Sequence, residues 1–193
     1  MHRRGVGTHR VKRMDFMDLV KTRQSVREYL SKPVEREKIE RCLEAARFAP
    51  STCNSQPWRF IVVDDPELKD AVARRTFGRL LPFNRFTLQA PVLVLLVGER
   101  PKLTARIGAT IKHRQFSLMD IGIAAEHFCL QAKEEGLGTC MLGWFDEQGV
   151  KKLLNIPDRK RIHLVITLGY PKSDELRTKK RKDVDMIRSY NRY

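Results

Sequence analysis

The stretch "PVLVLLVG", Pro91 to Gly98, constrains the fold more than any other part of the chain. It is continuously apolar and only strand-sized, the pattern of a central strand covered on both faces. A chain with such a strand must bring other elements to both sides of one sheet. The second constraint is "FSLMDIGIAAEHFCLQAKEEG", Phe116 to Gly136, which reads as the longest helix and is apolar almost all round. Such a helix is buried, either in a large core or at a subunit interface. A chain of 193 residues has room for one domain with a real core.

The other elements follow from local pattern. "FMDLVKTR" reads as a short helix, and "RQSVREYL" after it as extended chain. "VEREKIERCLEAARFA" is helical, with acids in its first turns and Ile39, Cys42, Leu43, Ala46 and Ala49 on one face. Pro50 ends it. "RFIVVD" is a strand, "PELKDAVARR" a helix opened by Pro66, and "GTCMLGWF" a short strand or turn. "DEQGVKKLLN" is a helix capped by Asp146, and "RIHLVITLGYP" a core strand. No internal repeat or linker divides the chain.

The first thirteen residues, "MHRRGVGTHRVKR", hold five Lys/Arg and no acid. They lack the apolar core of a signal peptide and are read as a flexible basic leader, 1–13, ahead of one domain, 14–193. Met14 or Met17 could equally be the start. With no run of 18 apolar residues, a membrane span is not expected. The four cysteines show no CxxC spacing and no His cluster completes a metal site, so free thiols and a cytoplasmic location are expected. The formal charge of +15 asks for acidic partners, either nucleic acid or phosphate-bearing cofactors. Aromatics do not alternate with the basic residues as an RNA-binding sheet requires, which makes nucleic acid the weaker option.

Two motifs carry chemistry. "TRQSVREY" places Arg23, Ser25 and Arg27 two apart, so that in extended chain they share one side. Two guanidiniums and a hydroxyl there form an anion cradle, since Arg forks onto phosphate oxygens; a solvated strand edge would read the same. "PSTCNSQPW", Pro50 to Trp58, crowds polar side chains between a helix and a strand. Its Asn and Gln offer the donors and acceptors that a heteroaromatic imide edge or a ribityl chain needs, with Trp58 as anchor to the core. A helix stop followed by turn chemistry explains the same letters.

Taken in order, Arg-x-Ser-x-Arg, then Pro-Ser-x-x-Asn-x-Gln-Pro-Trp, then "GLGTCMLGWFD", then "KKRK" resemble the nitroreductase family of FMN-dependent oxidoreductases, from about Phe16 to Arg181. The resemblance implies an α+β fold, a mixed sheet flanked by helices, in an intertwined homodimer with FMN at the subunit interface. It implies that Arg23 and Ser25 meet the phosphate and Arg27 the flavin N1/O2 rim. Pro50, Ser51, Thr52, Asn54 and Gln56 would reach the flavin from the other subunit. Asn84 would lie at the pyrimidine edge. The backbone N–H groups of Leu142 and Gly143 would lie beside N5 and O4. Lys179 and Arg181 would grip the phosphate. Members that act on bulky nitroaromatics often carry Glu where this chain has Leu142.

The implied activity passes hydride from NAD(P)H through flavin N5 to an electron-poor acceptor: a nitroaromatic, a quinone or an activated alkene. Flavin fragmentation or dehalogenation, as in some relatives, is an alternative, and a basic nucleic-acid-binding module on the same fold is another. No GxGxxG follows a strand, so no resident dinucleotide site is expected. No catalytic side chain is singled out; His127, inside the apolar helix, reads as a core or interface residue. The basic segment Gly98 to Phe116 is a candidate landing surface for the phosphates of NAD(P)H, with a solvated loop as the plainer reading.

Overall fold

The computed structural model describes residues 14–78, 83–103 and 114–193. Four strands form one sheet in the order β1-β2-β4-β3. They are β1 (Trp58–Val63), β2 (Val92–Gly98), β3 (Gly138–Leu142) and β4 (Ile162–Gly169). The three pairings are antiparallel. Among the described residues a parallel pairing enters only where Ser25 bridges Thr139, adding the segment after the first helix to the β3 edge. The mixed character anticipated from the sequence therefore resides at that added edge.

β2 is central, and its alternation sorts its side chains into two cores. Val92, Val94 and Leu96 face helices α2 (Arg36–Arg47) and α4 (Phe116–Glu134). Leu93, Leu95 and Val97 face α3 (Pro66–Ala73) and α5 (Glu147–Leu153). Both faces are covered, which is why the strand tolerates no polar residue. Phe60 of β1 stacks on Phe128 of α4 with centroids 5.8 Å apart.

Three helix starts follow the capping rule. Asp15, Asp65 and Asp146 each accept a backbone N–H three residues on, at the heads of α1 (Phe16–Thr22), α3 and α5. α4 ends in a Schellman turn: Gly136, at φ 75°, donates to Lys133 O at 3.0 Å, and Leu137 donates to Ala132 O at 2.8 Å.

α4 buries Ile121, Ala124, Ala125, Phe128, Cys129 and Ala132, the spacing of one helical face. The first half of its other side is apolar as well. Leu118, Met119 and Ile123 remain exposed, as do Phe16, Met17 and Val20 of the adjacent α1. No described helix is long and apolar enough to cross a membrane. The leader, residues 79–82 and residues 104–113, hence Arg106, Lys112 and His113, lie outside the described residues.

Candidate active site

The chain leaves α1 at Arg23 and runs along β3. Val26 donates to Thr139 O at 2.8 Å beside the Ser25 bridge. Buried Tyr29 locks this segment from beneath: its hydroxyl donates to Val26 O at 2.8 Å and lies 2.6 Å from Thr167 Oγ1. Burial pushes the phenol pKa well above its ordinary range, so it stays a neutral hydrogen-bonding group.

The C-terminal tail returns to the same place. Gln24 Nε2 donates to Glu175 O at 2.8 Å, and Arg177 N donates to Gln24 Oε1 at 3.2 Å. Lys179 Nζ reaches Val20 O at 3.2 Å and also donates to Arg23 O. The result is an open cavity of about 380 Å³ lined by Arg23, Ser25, Arg27, Arg177, Lys179 and Arg181. Five of these residues were expected from the sequence to act together. Arg177 was not; within a basic tail nothing in its letter distinguishes it.

The corner is short of negative charge. Arg23 Nε and Nη2 meet Glu126 Oε1 at 3.2 and 3.0 Å. Partial burial, then the charges of Arg23 and Arg181, hold the Lys179 pKa below its usual value. Crowded cations of this kind are relieved by a dianion. Glu126 was also missed from the sequence, where it is one acid on an apolar helix.

The "PSTCNSQPW" loop folds on itself through its polar side chains. Thr52, which opens a 3₁₀ turn (Thr52–Asn54), donates its N–H to Asp120 at 3.1 Å and its hydroxyl at 3.2 Å. Ser51 Oγ accepts from Gln56 N at 2.9 Å, and Gln56 Nε2 donates to Asn54 Oδ1 at 2.9 Å. Cys53, Asn54 and Gln56 all take left-handed backbone, with φ of 53°, 49° and 46°. Each such residue costs on the order of 1–3 kcal/mol unless its surroundings hold it, and these bonds do the holding. Trp58 packs against the core, as expected. Asp120 itself is 5 % exposed; an acid inside an apolar helix was the available signal.

Pro50, Ser51, Thr52, Asn54 and Gln56 do not line the cationic cavity of their own chain. Asn84 is buried, and its amide donates to Thr76 O at 3.0 Å and Trp144 O at 3.1 Å. Both amide hydrogens are therefore engaged by the protein, and only its oxygen is left to meet a ligand. The contact fixes Trp144 next to Gly143. Leu142 is buried at the end of β3, while Gly143 is exposed. The Arg27 guanidinium lies 5.8 Å from the Phe86 ring centroid.

The remaining candidates are quiet. His127 Nδ1 lies 2.9 Å from Ile123 O on its own helix. All four cysteines are free; burial pushes the Cys42 and Cys129 thiols up to about 12, and Cys53 is exposed. Among the described residues no cluster of His, Cys, Asp or Glu could hold a metal ion.

The helix-flanked sheet thus carries an open cationic corner at its β3 edge. The nitroreductase family model matches residues 20–85 and 79–170, and the chain belongs to the nitroreductase family. It is 33 % identical over 166 residues to a protein of Archaeoglobus fulgidus named provisionally as NADH dehydrogenase/NAD(P)H nitroreductase, covering 83 % of this chain and 88 % of that one. It is also 33 % identical over 168 residues to an iodotyrosine deiodinase of Thermotoga neapolitana, covering 80 % and 87 %. Among solved structures, an FMN-dependent nitroreductase from Clostridium difficile R20291 superposes with a TM-score of 0.71 at 26 % identity, covering 92 % of this chain and 99 % of that one.

Proposed function

We propose that the protein is an FMN-dependent NAD(P)H oxidoreductase that works as a homodimer on an electron-poor acceptor. The observation that carries this reading is the cationic corner, where Lys179, Arg23 and Arg181 crowd together with one carboxylate between them. A phosphate dianion is the partner such a corner lacks. FMN held here would supply the two-electron chemistry between NAD(P)H and a nitroaromatic, a quinone or an activated alkene. The chain's own residues bind and orient. Arg23, Ser25, Lys179 and Arg181 hold the phosphate. Arg27 supplies positive charge near the ring, and Leu142 and Gly143 offer backbone N–H groups at the end of β3.

The homodimer reading rests on two features. The exposed apolar band of Leu118, Met119 and Ile123 with Phe16 and Met17 needs a cover. The polar loop Pro50–Gln56 lies apart from its own chain's cavity and would serve the partner's. Nitroaromatic or quinone reduction leads; reductive dehalogenation is the second reading, favoured by the Thermotoga relative.

The test is anaerobic. Purified protein should carry flavin absorbance that bleaches on NAD(P)H and returns with a nitroaromatic or quinone. An arm with an iodinated phenol separates the second reading. A colourless protein that FMN cannot reconstitute would overturn both. Sedimentation at micromolar concentration should show a dimer, and a flavin-loaded monomer would contradict the shared site.

A further inference from the structure

The described molecule has a second cationic corner, at the opposite end of β4 from the first. Gly98 closes β2 and donates to Arg161 O at 2.8 Å, and Glu99 N donates to Pro57 O at 3.0 Å. This brings the chain after β2 against the turn before β4. An open cavity of about 390 Å³ lies between them, lined by Glu99, Arg100, Arg159, Lys160, Arg161 and His163. Its size matches that of the first corner, and pockets of a few hundred Å³ take small ligands.

The carboxylates of this corner are already shared. Glu99 is paired with Lys160 and lies 3.3 Å from Arg59. Glu147 meets Lys151 at 3.0 Å and Arg161 at 3.3 Å, and accepts the Ile162 N–H at 2.9 Å. Arg100 and Arg159 meet no carboxylate among the described residues, and both are exposed. Two free guanidiniums on one cavity present paired donors suited to phosphate oxygens.

His163 completes the wall. Burial, then the neighbouring Arg161, lowers its pKa, so the ring is neutral at pH 7 and keeps one N–H donor. The ring lies so close to the end of β2 that a Cβ at position 98 would sit 2.6 Å from its Nε2. Only glycine admits this arrangement. A side chain at position 98 would have to push the ring aside, so the ring's place against the end of β2 depends on this glycine.

We propose that this corner is a second anion site, which binds the phosphate groups of a nucleotide or a free phosphoanhydride through Arg100, Arg159 and His163. The inference does not depend on FMN occupying the first corner. It extends the candidate landing surface of the Gly98–Phe116 segment, of which Arg100 is the contributing residue, to Arg159 and His163, which lie some sixty positions further along the chain.

The experiment uses the full-length protein and pyrophosphate as the probe, titrated calorimetrically at fixed ionic strength. Wild type should bind saturably. The double variant Arg100→Gln/Arg159→Gln should lose about tenfold or more in affinity, since two charge-assisted contacts are removed. Arg100→Lys/Arg159→Lys should retain part of it. Gly98→Ala, checked for folding by circular dichroism, should weaken binding by displacing His163. Turnover then separates the two sources. A fall in kcat/KM for NADPH but not NADH in the glutamine variant assigns the site to the dinucleotide. Unchanged ratios with weakened pyrophosphate binding assign it to a free anion. Absence of saturable binding, or equal affinity in wild type and both arginine variants, would overturn the site. So would duplex DNA binding that the glutamine variant abolishes and pyrophosphate does not compete away.

Discussion

The two cationic corners are nearly equal in volume and lie at the two ends of β4, yet they are built differently. The corner at Ser25 is assembled from segments more than 150 positions apart: Gln24 and Arg23 meet Glu175, Arg177 and Lys179 of the tail. The corner at Gly98 is made by two strand ends and the turns beside them, with Arg100 just after β2 and Arg159 just before β4. Their carboxylates differ too. Glu126 holds one edge of the Arg23 guanidinium, so an anion must share or displace it, whereas Glu99 and Glu147 leave Arg100 and Arg159 free. A built grip with an internal counter-ion suits a retained cofactor. An open pair of guanidiniums without an internal counter-ion suits a ligand that comes and goes.

The largest expected effect separates the corners directly. Arg23→Ala removes charge-assisted contacts of about 1.5–3 kcal/mol each, so FMN affinity should fall about ten- to a hundredfold. Arg100→Ala should leave it unchanged. Fluorescence titration of FMN measures both. Equal affinity in Arg23→Ala and wild type would remove the distinction.

Tyr29→Phe comes next. It deletes the hydroxyl that holds Val26 O and Thr167 Oγ1, neither of which lines the second corner. A net loss of about 1 kcal/mol in urea unfolding, at unchanged m-value, is expected. FMN binding should weaken with it, because the Ser25–Arg27 segment loses its support. Pyrophosphate binding at the second corner should not change. If FMN binding survives intact while stability falls, Tyr29 serves the fold alone.

The contrast also shows what the sequence can and cannot disclose. β2 and α4 are legible because burial on both faces, or all round, leaves an unbroken apolar record. Arg23, Ser25 and Arg27 are legible because extended chain turns a spacing of two into one side. Glu126 and Arg177 are not, since each acts on a partner about 100 to 150 positions away and no local period encodes that distance. The polar loop was half legible. Its Asn and Gln were read as ligand groups; the structure ties the two side chains together by one bond, Gln56 Nε2 to Asn54 Oδ1, and the Gln56 backbone N–H to Ser51 Oγ. The second corner was least visible, for it depends on a glycine and a histidine 65 positions apart meeting across neighbouring strands.

A smaller effect tests the internal counter-ion. Glu126→Gln removes a carboxylate from beside the phosphate grip. Both partners are about a third exposed, so the pair is worth only about 0.2–1 kcal/mol. FMN should bind up to about fivefold tighter, while riboflavin, which lacks the phosphate, should bind as before. Tightening of both flavins, or of neither, would mean that Glu126 does not oppose the phosphate.

The smallest effect is a titration at the second corner. His163 has its pKa lowered in the folded protein by burial and then by Arg161, with Glu147 opposing. The other charged groups around that cavity are Glu99, Arg100, Arg159 and Lys160. The folded state therefore holds its proton less tightly than the unfolded chain, whose His titrates near 6.5. Above that value both states are neutral and His163 contributes nothing to pH dependence. As the pH falls below about 6.5 the unfolded state takes up its proton first, and stability declines until the folded pKa is passed. His163→Gln should remove that acid-side decline from the stability profile. An anion bound to Arg100 and Arg159 would reverse part of the shift, because negative charge beside the ring favours imidazolium. The ring's pKa, followed by NMR, should rise when pyrophosphate is added and stay put in Arg100→Gln/Arg159→Gln. FMN, held at the other end of β4, should move it little. If FMN raises it as much as pyrophosphate does, the two corners are not independent, and the contrast between a retained and a visiting ligand fails.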